Sequence, residues 1–233
     1  MSEEDFDIQS LATYLHLTPA QVEKMAGRDK LPGRRIGGEW RFSKSEIHHW
    51  FEDRIGVGDQ LELEQFEKVL DTETRDSDHT FANLLQANSI WIPLAARTRN
   101  PVVSQMCQQA ADVGLVWDAS KMENAIKSRE KLHPTALENG VALLHPRRPQ
   151  DTNIAHAFLG LGITTSGLPF GGPRGVLTDV FFLIASDNEK NHLQTLARLS
   201  RIIAVPELLD NLREASDANA AWCLIRDADE SVN

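Results

Sequence analysis

Charge inverts between two neighbouring stretches of this chain, and the inversion limits how it can fold. Between residues 24 and 44 stand seven basic side chains (Lys24, Arg28, Lys30, Arg34, Arg35, Arg41 and Lys44) against two acids, Asp29 and Glu39. Between residues 59 and 78 stand eight acids (Asp59, Glu62, Glu64, Glu67, Asp71, Glu73, Asp76 and Asp78) against Lys68 and Arg75. Leu61, Leu63, Phe66, Val69 and Leu70 give the first half of this stretch some helical periodicity. Residues 71–79 carry too little apolar surface to offset the entropy of ordering them. The chain therefore divides into an N-terminal unit, residues 1–56, that carries the basic stretch, an acidic linker, residues 57–79, and a larger unit, residues 80–233. A chain of 233 residues can bury a sizeable core without disulfides or a structural metal. The net charge of −10 repels polyanions at long range, which confines any nucleic-acid contact to a local basic patch. Two cysteines, Cys107 and Cys223, make neither a disulfide framework nor a zinc site and fit a reducing compartment. The opening "MSEEDFDIQS" lacks the basic flank and apolar run of a signal peptide, and no stretch approaches the ~18 apolar residues of a membrane span. The expectation is a cytoplasmic protein with no membrane contact, no cofactor and no metal.

In the first unit, Ile8, Leu11, Ala12, Leu15, Leu17, Val22 and Met25 are spaced for two short helices crossing over one small core. Thr18 suits an N-cap and Pro19 the first helical position. "RRIGGEWRF" reads as a hairpin: Gly37 and Gly38 supply the positive φ of a tight turn, with Trp40 and Phe42 alternating about Arg41. Basic residues on both the second helix and the hairpin match a winged helix-turn-helix, whose helix enters the major groove while the wing rests on phosphates. The candidate DNA contacts are Thr18, Gln21, Lys24, Arg28, Arg34, Arg35 and Arg41.

From residue 80 strands and helices interleave, which indicates a layered α/β domain. Strands are expected at 89–94, 140–145, 153–163 and 179–186, helices near 102–111, 120–132, 189–203 and 206–215, and a turn-rich passage at 166–175. The sharpest feature is "GVALLHP": an apolar run that ends on His145 and is stopped by Pro146, which has no ladder donor. That places His145 at the rim of a sheet with Arg147 and Arg148 behind it. Such a histidine is a structural residue, a metal ligand or a reacting group. The eight histidines (16, 48, 49, 79, 133, 145, 156 and 192) form no pair at ligand spacing, and His48 and His49 are adjacent and point apart on a helix. A phosphoryl-accepting imidazole needs a fixed tautomer, nearby cationic or N–H donors and access for a partner. His192, Leu196, Leu199 and Ile203 follow one helical stripe. His192 thus lies near the N-terminus of a helix capped by Asp187 or Asn188, an end that attracts anions.

Two stretches of the chain resemble known families. "LATYLHLTPAQVEKMAGRDKLPGRRIGGEWRFSKSEIHHWF" resembles the excisionase-like, MerR-related helix-turn-helix proteins, in which a helix, turn and helix precede a "LPGRRVGGRWRF" wing and a last helix ending in Trp. That resemblance implies DNA binding or, for some modules of this type, protein docking. "SREKLHPTALENGVALLH", "GLPFGGPRGVLTDVFFLIAS" and "NEKNHLQTLARLSRII" resemble, in order and spacing, the EIIA domain of the bacterial phosphotransferase system, of the fructose/mannitol and nitrogen-regulatory type. The resemblance implies a layered mixed sheet with flanking helices and an HPr-like phosphocarrier as partner. It puts the phosphorylated histidine at His145, the second active-site histidine at His192, and the family's arginine and threonine at Arg129 and Thr135. His133, Pro134, Ala136, Glu138 and Leu144 depart from the family's pattern, and Glu138 brings a negative charge into the expected phosphate loop. The combined expectation is a regulator that accepts phosphate on His145 and binds DNA through its N-terminal unit. Its rival is a non-catalytic protein that regulates a target by binding.

Overall fold

Thr18 starts the second helix of the N-terminal unit with a reciprocal cap. Its hydroxyl accepts the Gln21 N–H at 3.3 Å, and the Gln21 side-chain oxygen accepts the Thr18 N–H at 2.8 Å, a capping box that satisfies two orphan donors. This computed structural model describes residues 5–15, 17–44, 46–47, 50, 81–149 and 152–232. The chain divides into two compact units, Met1–Arg75 and Asp76–Asn233. The expected linker at 57–79 lies outside the described residues, as do His16, His48, His49 and His79.

In the first unit α1 (Ile8–Leu15) buries Leu11, Ala12 and Leu15, and α2 (Pro19–Ala26) buries Val22 and Ala26. Strands β1 (Arg34–Ile36) and β2 (Glu39–Arg41) pair antiparallel with Arg35 opposite Trp40. Gly37 and Gly38, at φ +61° and +90°, make the turn, as two-residue hairpins require. Phe42 is fully buried and exchanges both backbone hydrogen bonds with Phe6, at 2.8 and 2.9 Å. No periodicity in residues 5–7 announces this tie to the start of the unit.

The second unit runs α3 (Phe81–Leu84), β3 (Leu85–Trp91), α4 (Arg99–Asp112), α5 (Ala119–Leu132), β4 (Val141–Leu144), β5 (Phe158–Pro169), β6 (Leu177–Ala185), α6 (Glu189–Ile203), α7 (Leu208–Arg213) and α8 (Ala218–Ser231). The sheet order is β3-β5-β6-β4. β4 and β6 run parallel, β5 and β6 antiparallel, and β3 and β5 parallel. Every residue of β4 is buried, as expected of a strand covered on both faces. Ala142, Leu144, Phe181, Leu183 and Ala185 join Val102, Met106, Met122 and Ile126 in the core under α4 and α5. The alternate residues Val141, Leu143, Val180, Phe182 and Ile184 are buried on the opposite face, where α6 and α7 pack on β6.

Two of the expected strands needed correction, and one helix was missed. The strand expected at 153–163 begins at Phe158 and continues to Pro169, into the passage read as turns, because Leu168 and Pro169 pair with Thr178 and Leu177 after a register shift. The strand expected at 89–94 is Leu85–Trp91. The helix α8 was not anticipated at all: its buried residues Ala221, Ile225 and Ala228 include two alanines, which mark a periodic stripe weakly.

The segment before β4 turns back on it. Leu137 N–H donates to the Val141 carbonyl (2.8 Å) and Leu143 N–H to the Thr135 carbonyl (3.3 Å), with Ala136 bridged to Ala142. The turn is 137–140, and Gly140 (φ +83°) closes it. Arg213 clamps this end from α7, donating to both Asp179 carboxylate oxygens (3.0 and 3.1 Å) and to the Asn139 carbonyl (2.9 Å). A Cβ on Gly140 meets the Arg213 guanidinium at 2.9 Å and the Leu177 carbonyl at 3.3 Å. Gly140→Ala therefore combines positive-φ strain with a clash and is expected to cost about 2 kcal/mol. Chemical denaturation checks this, with Gly114→Ala, where positive φ meets open space, as the milder control.

Candidate functional site

His145 continues the Val141 and Leu143 side of β4, and its ring meets that of His192 from the first turn of α6. The ring centroids are 4.9 Å apart and the planes tilted by 52°. Asn188, one of the two expected caps, starts α6 by accepting the Asn191 N–H at 2.9 Å. His145 Nδ1 lies 2.7 Å from the Leu143 carbonyl. A carbonyl oxygen only accepts, so Nδ1 carries the proton and Nε2 the lone pair. The structure thus brings the two sequence-predicted histidines together and fixes the tautomer of one. Its departure from expectation is burial: His145 is 2% exposed and His192 6%, so His145 lies beneath the surface and not at an open rim.

Arg129 and Thr135 enter differently. Arg129, buried near the end of α5, donates to the His133 carbonyl at 2.8 Å. With Lys121 and Arg147 it lines an open cleft along α5 that Leu132 also borders. The Thr135 hydroxyl bonds to the Glu130 carboxylate, which also accepts the Thr135 N–H at 3.2 Å. Arg99 braces the same carboxylate at 2.7 Å and lies over the Phe170 ring at 5.1 Å. Glu130, 3% exposed, was missed by sequence reading, because a lone acid inside a charged helical stretch carries no periodic mark. Glu138 also needs correction. It sits at the 137–140 turn, exposed and 3.8 Å from Arg174, whereas His145 follows the far end of β4. At about 3.3 Å per residue the strand keeps that charge well away from the imidazole.

Among the candidate DNA contacts, Thr18 and Gln21 are engaged in the capping box, while Lys24 and Arg28 are exposed on and just after α2. The wing arginines are partnered: Arg34 with Asp5 at 2.7 Å, Arg41 with Glu39 at 2.9 Å, and Arg35 over the Trp40 ring at 5.0 Å.

The profile described as phosphoenolpyruvate-dependent sugar phosphotransferase system, EIIA 2, matches residues 83–228, more than half of the chain. The chain belongs to this EIIA family. A helix-turn-helix domain profile matches residues 6–55. The EIIA domain is 26% identical over 149 residues to the PTS system fructose-specific EIIABC component of Bacillus subtilis, covering 63% of this chain and 23% of that one. It is 25% identical over 145 residues to the nitrogen regulatory protein of Bradyrhizobium diazoefficiens, covering 61% of this chain and 92% of the relative. The crystal structure of IIA mannitol from Escherichia coli superposes with a TM-score of 0.53 at 20% identity, covering 60% of this chain and 97% of that one. Among the described residues of the chain no helix is long and apolar enough to cross a membrane.

The EIIA domain's histidine geometry has a direct spectroscopic consequence. At pH 8, where an ordinary imidazole is neutral, a long-range 1H–15N spectrum is expected to show His145 protonated on Nδ1 and bare on Nε2. A pattern with the proton on Nε2 contradicts the Leu143 contact.

Proposed function

We propose that this chain is a phosphotransferase-system regulator. In this reading its EIIA domain takes a phosphoryl group on His145 Nε2 from an HPr-like carrier, and its N-terminal unit binds DNA. The observation that carries the reading is the pair of rings 4.9 Å apart with the Nδ1 proton of one engaged by a carbonyl. The Nε2 lone pair closes on phosphorus as the carrier's P–N bond breaks, and the bonding electrons leave with the carrier's imidazole. Nδ1 keeps its proton, the His145 ring gains positive charge, and the Leu143 carbonyl stabilises it. His192 and the cationic cleft containing Arg129 balance charge on the phosphoryl oxygens. Thr135 acts through its backbone. Trp117, 75% exposed, and Leu132, 63% exposed, stand at the two ends of α5 and provide the apolar anchors of a carrier-docking face around Lys121 and Arg147.

The burial of His145 supports a second reading, a non-catalytic protein that regulates a target by binding. For phosphoryl transfer, the cover over the ring must open, and that step enters the observed rate.

Incubation with labelled phosphoenolpyruvate, Enzyme I and HPr distinguishes the two. The expected result is acid-labile, alkali-stable label on the wild type, none on His145→Ala, and slowed labelling of His192→Ala. An unlabelled, folded wild type beside a labelled control EIIA establishes the binding reading instead.

DNA binding by the N-terminal unit is expected to weaken steeply with salt, and Lys24→Ala to lower the slope of log K against log salt by about 1. Phosphorylation adds a charge of about −1.5 to −2, and duplex affinity is expected to differ between the phosphorylated and unphosphorylated protein in filter-binding or anisotropy titrations. Equal affinities remove the coupling from the proposal.

A further inference from the structure

We infer that Glu130 is a positioning residue for His145, acting by drawing the Thr135 N–H away from the Leu143 carbonyl. The backbone pattern shows what Glu130 alters. Ala136 and Ala142 form an antiparallel bridge, flanked on one side by Leu137 N–H to Val141 O and on the other by Leu143 N–H to Thr135 O. In a regular antiparallel ladder Thr135 and Leu143 exchange both their hydrogen bonds, so the Thr135 N–H donates to the Leu143 carbonyl. Here it points instead at the Glu130 carboxylate, 3.2 and 3.4 Å from its two oxygens, and the Thr135 hydroxyl bonds to the same group. The Leu143 carbonyl thus receives Nδ1–H of His145, at 2.7 Å.

Glu130 is built into place for this task. It is buried on the last turn of α5, and Arg99 holds both its carboxylate (2.7 Å) and its backbone carbonyl (2.9 Å). The closed end of the return is fixed by the 137–140 turn and the Arg213 clamp, whereas the open end, beside His145, is where Glu130 grips. A carboxylate can accept from Arg99, the Thr135 N–H and the Thr135 hydroxyl together. An amide oxygen in its place cannot satisfy all three while the amide nitrogen, a donor, faces the same groups. Releasing the Thr135 N–H lets it compete for the Leu143 carbonyl, and an imidazole that loses its Nδ1 acceptor gains the Nε2–H form, whose lone pair is on Nδ1 and not on the attacking Nε2.

The effect on rate rests on the phosphoryl-acceptor reading, but the tautomer can be read without any carrier. The long-range 1H–15N spectrum of the full chain at pH 8 is compared for wild type, Glu130→Gln and Glu130→Ala. The expected result is an Nδ1–H pattern for His145 in the wild type and a substantial Nε2–H population in either folded variant. Labelling by the phosphorylated carrier is expected to slow in proportion to the lost Nδ1–H population, about threefold to tenfold, with the half-saturating carrier concentration unchanged. A residue that only stabilises the fold lowers the melting temperature and leaves the tautomer alone. An unaltered Nδ1–H pattern in the folded variants overturns the inference. So does a wild type with no scalar coupling between His145 Nδ1 and the Leu143 carbonyl carbon, a measurement that needs no variant. A wild type that shows the Nδ1–H pattern and takes no label overturns the functional reading and leaves this inference standing.

Discussion

The burial of β6 on both faces governs the arrangement of the larger unit. A strand reading Val180, Phe181, Phe182, Leu183, Ile184, with no exposed side chain along that run, must be covered by apolar layers above and below. Pairing beside it, β4 inherits the same two-sided environment, and the strict alternation of its side chains then decides where each projects. Ala142 and Leu144 go under α4 and α5, while Val141, Leu143 and next in turn His145 go to the face where α6 lies. The meeting of His145 with His192 is thus a consequence of strand parity. One residue more or fewer in β4 would send the imidazole to the opposite layer.

Much of this was legible in the sequence because parity and periodicity are local. The apolar run ending in His145-Pro146 marked the strand and its end, and the stripe Leu196, Leu199, Ile203 placed His192 on the inner face of its helix. What stayed hidden depends on contacts between residues whose spacing follows no period. The grip of Glu130 on Thr135 joins the end of a helix to the start of an antiparallel return, and nothing in residues 130–135 announces that the chain doubles back there. The return was read as a loop, because Leu137 and Val141 flank a turn whose Glu138 and Asn139 look like any polar connector. The α8 helix was overlooked because alanine fills two of its three buried positions.

The N-terminal unit shows how a count of charges differs from an inventory of available charges. Its wing carries three arginines, yet Asp5 and Glu39 pair with two of them and Trp40 lies beneath the third. Ion pairs this exposed contribute little to stability, so their main effect is on the field the wing presents. The exposed cations of α2 and its exit, Lys24 and Arg28, stand without an acid bonded to them in this way among the described residues, although Glu23 and Asp29 beside them in sequence offset part of their charge.

The return before β4 separates two regions that adjoin in sequence. Its turn at 137–140 projects beyond one end of the strand and is tethered by Arg213, while the imidazole lies past the other end behind the grip of Glu130. Residues at the turn and residues at the ring therefore answer to different demands, although fewer than ten positions part them. A fluorophore or a spin label carried at Glu138 would ride on the domain as a reporter, sensing partners that approach that edge while leaving the chemistry of the buried ring undisturbed.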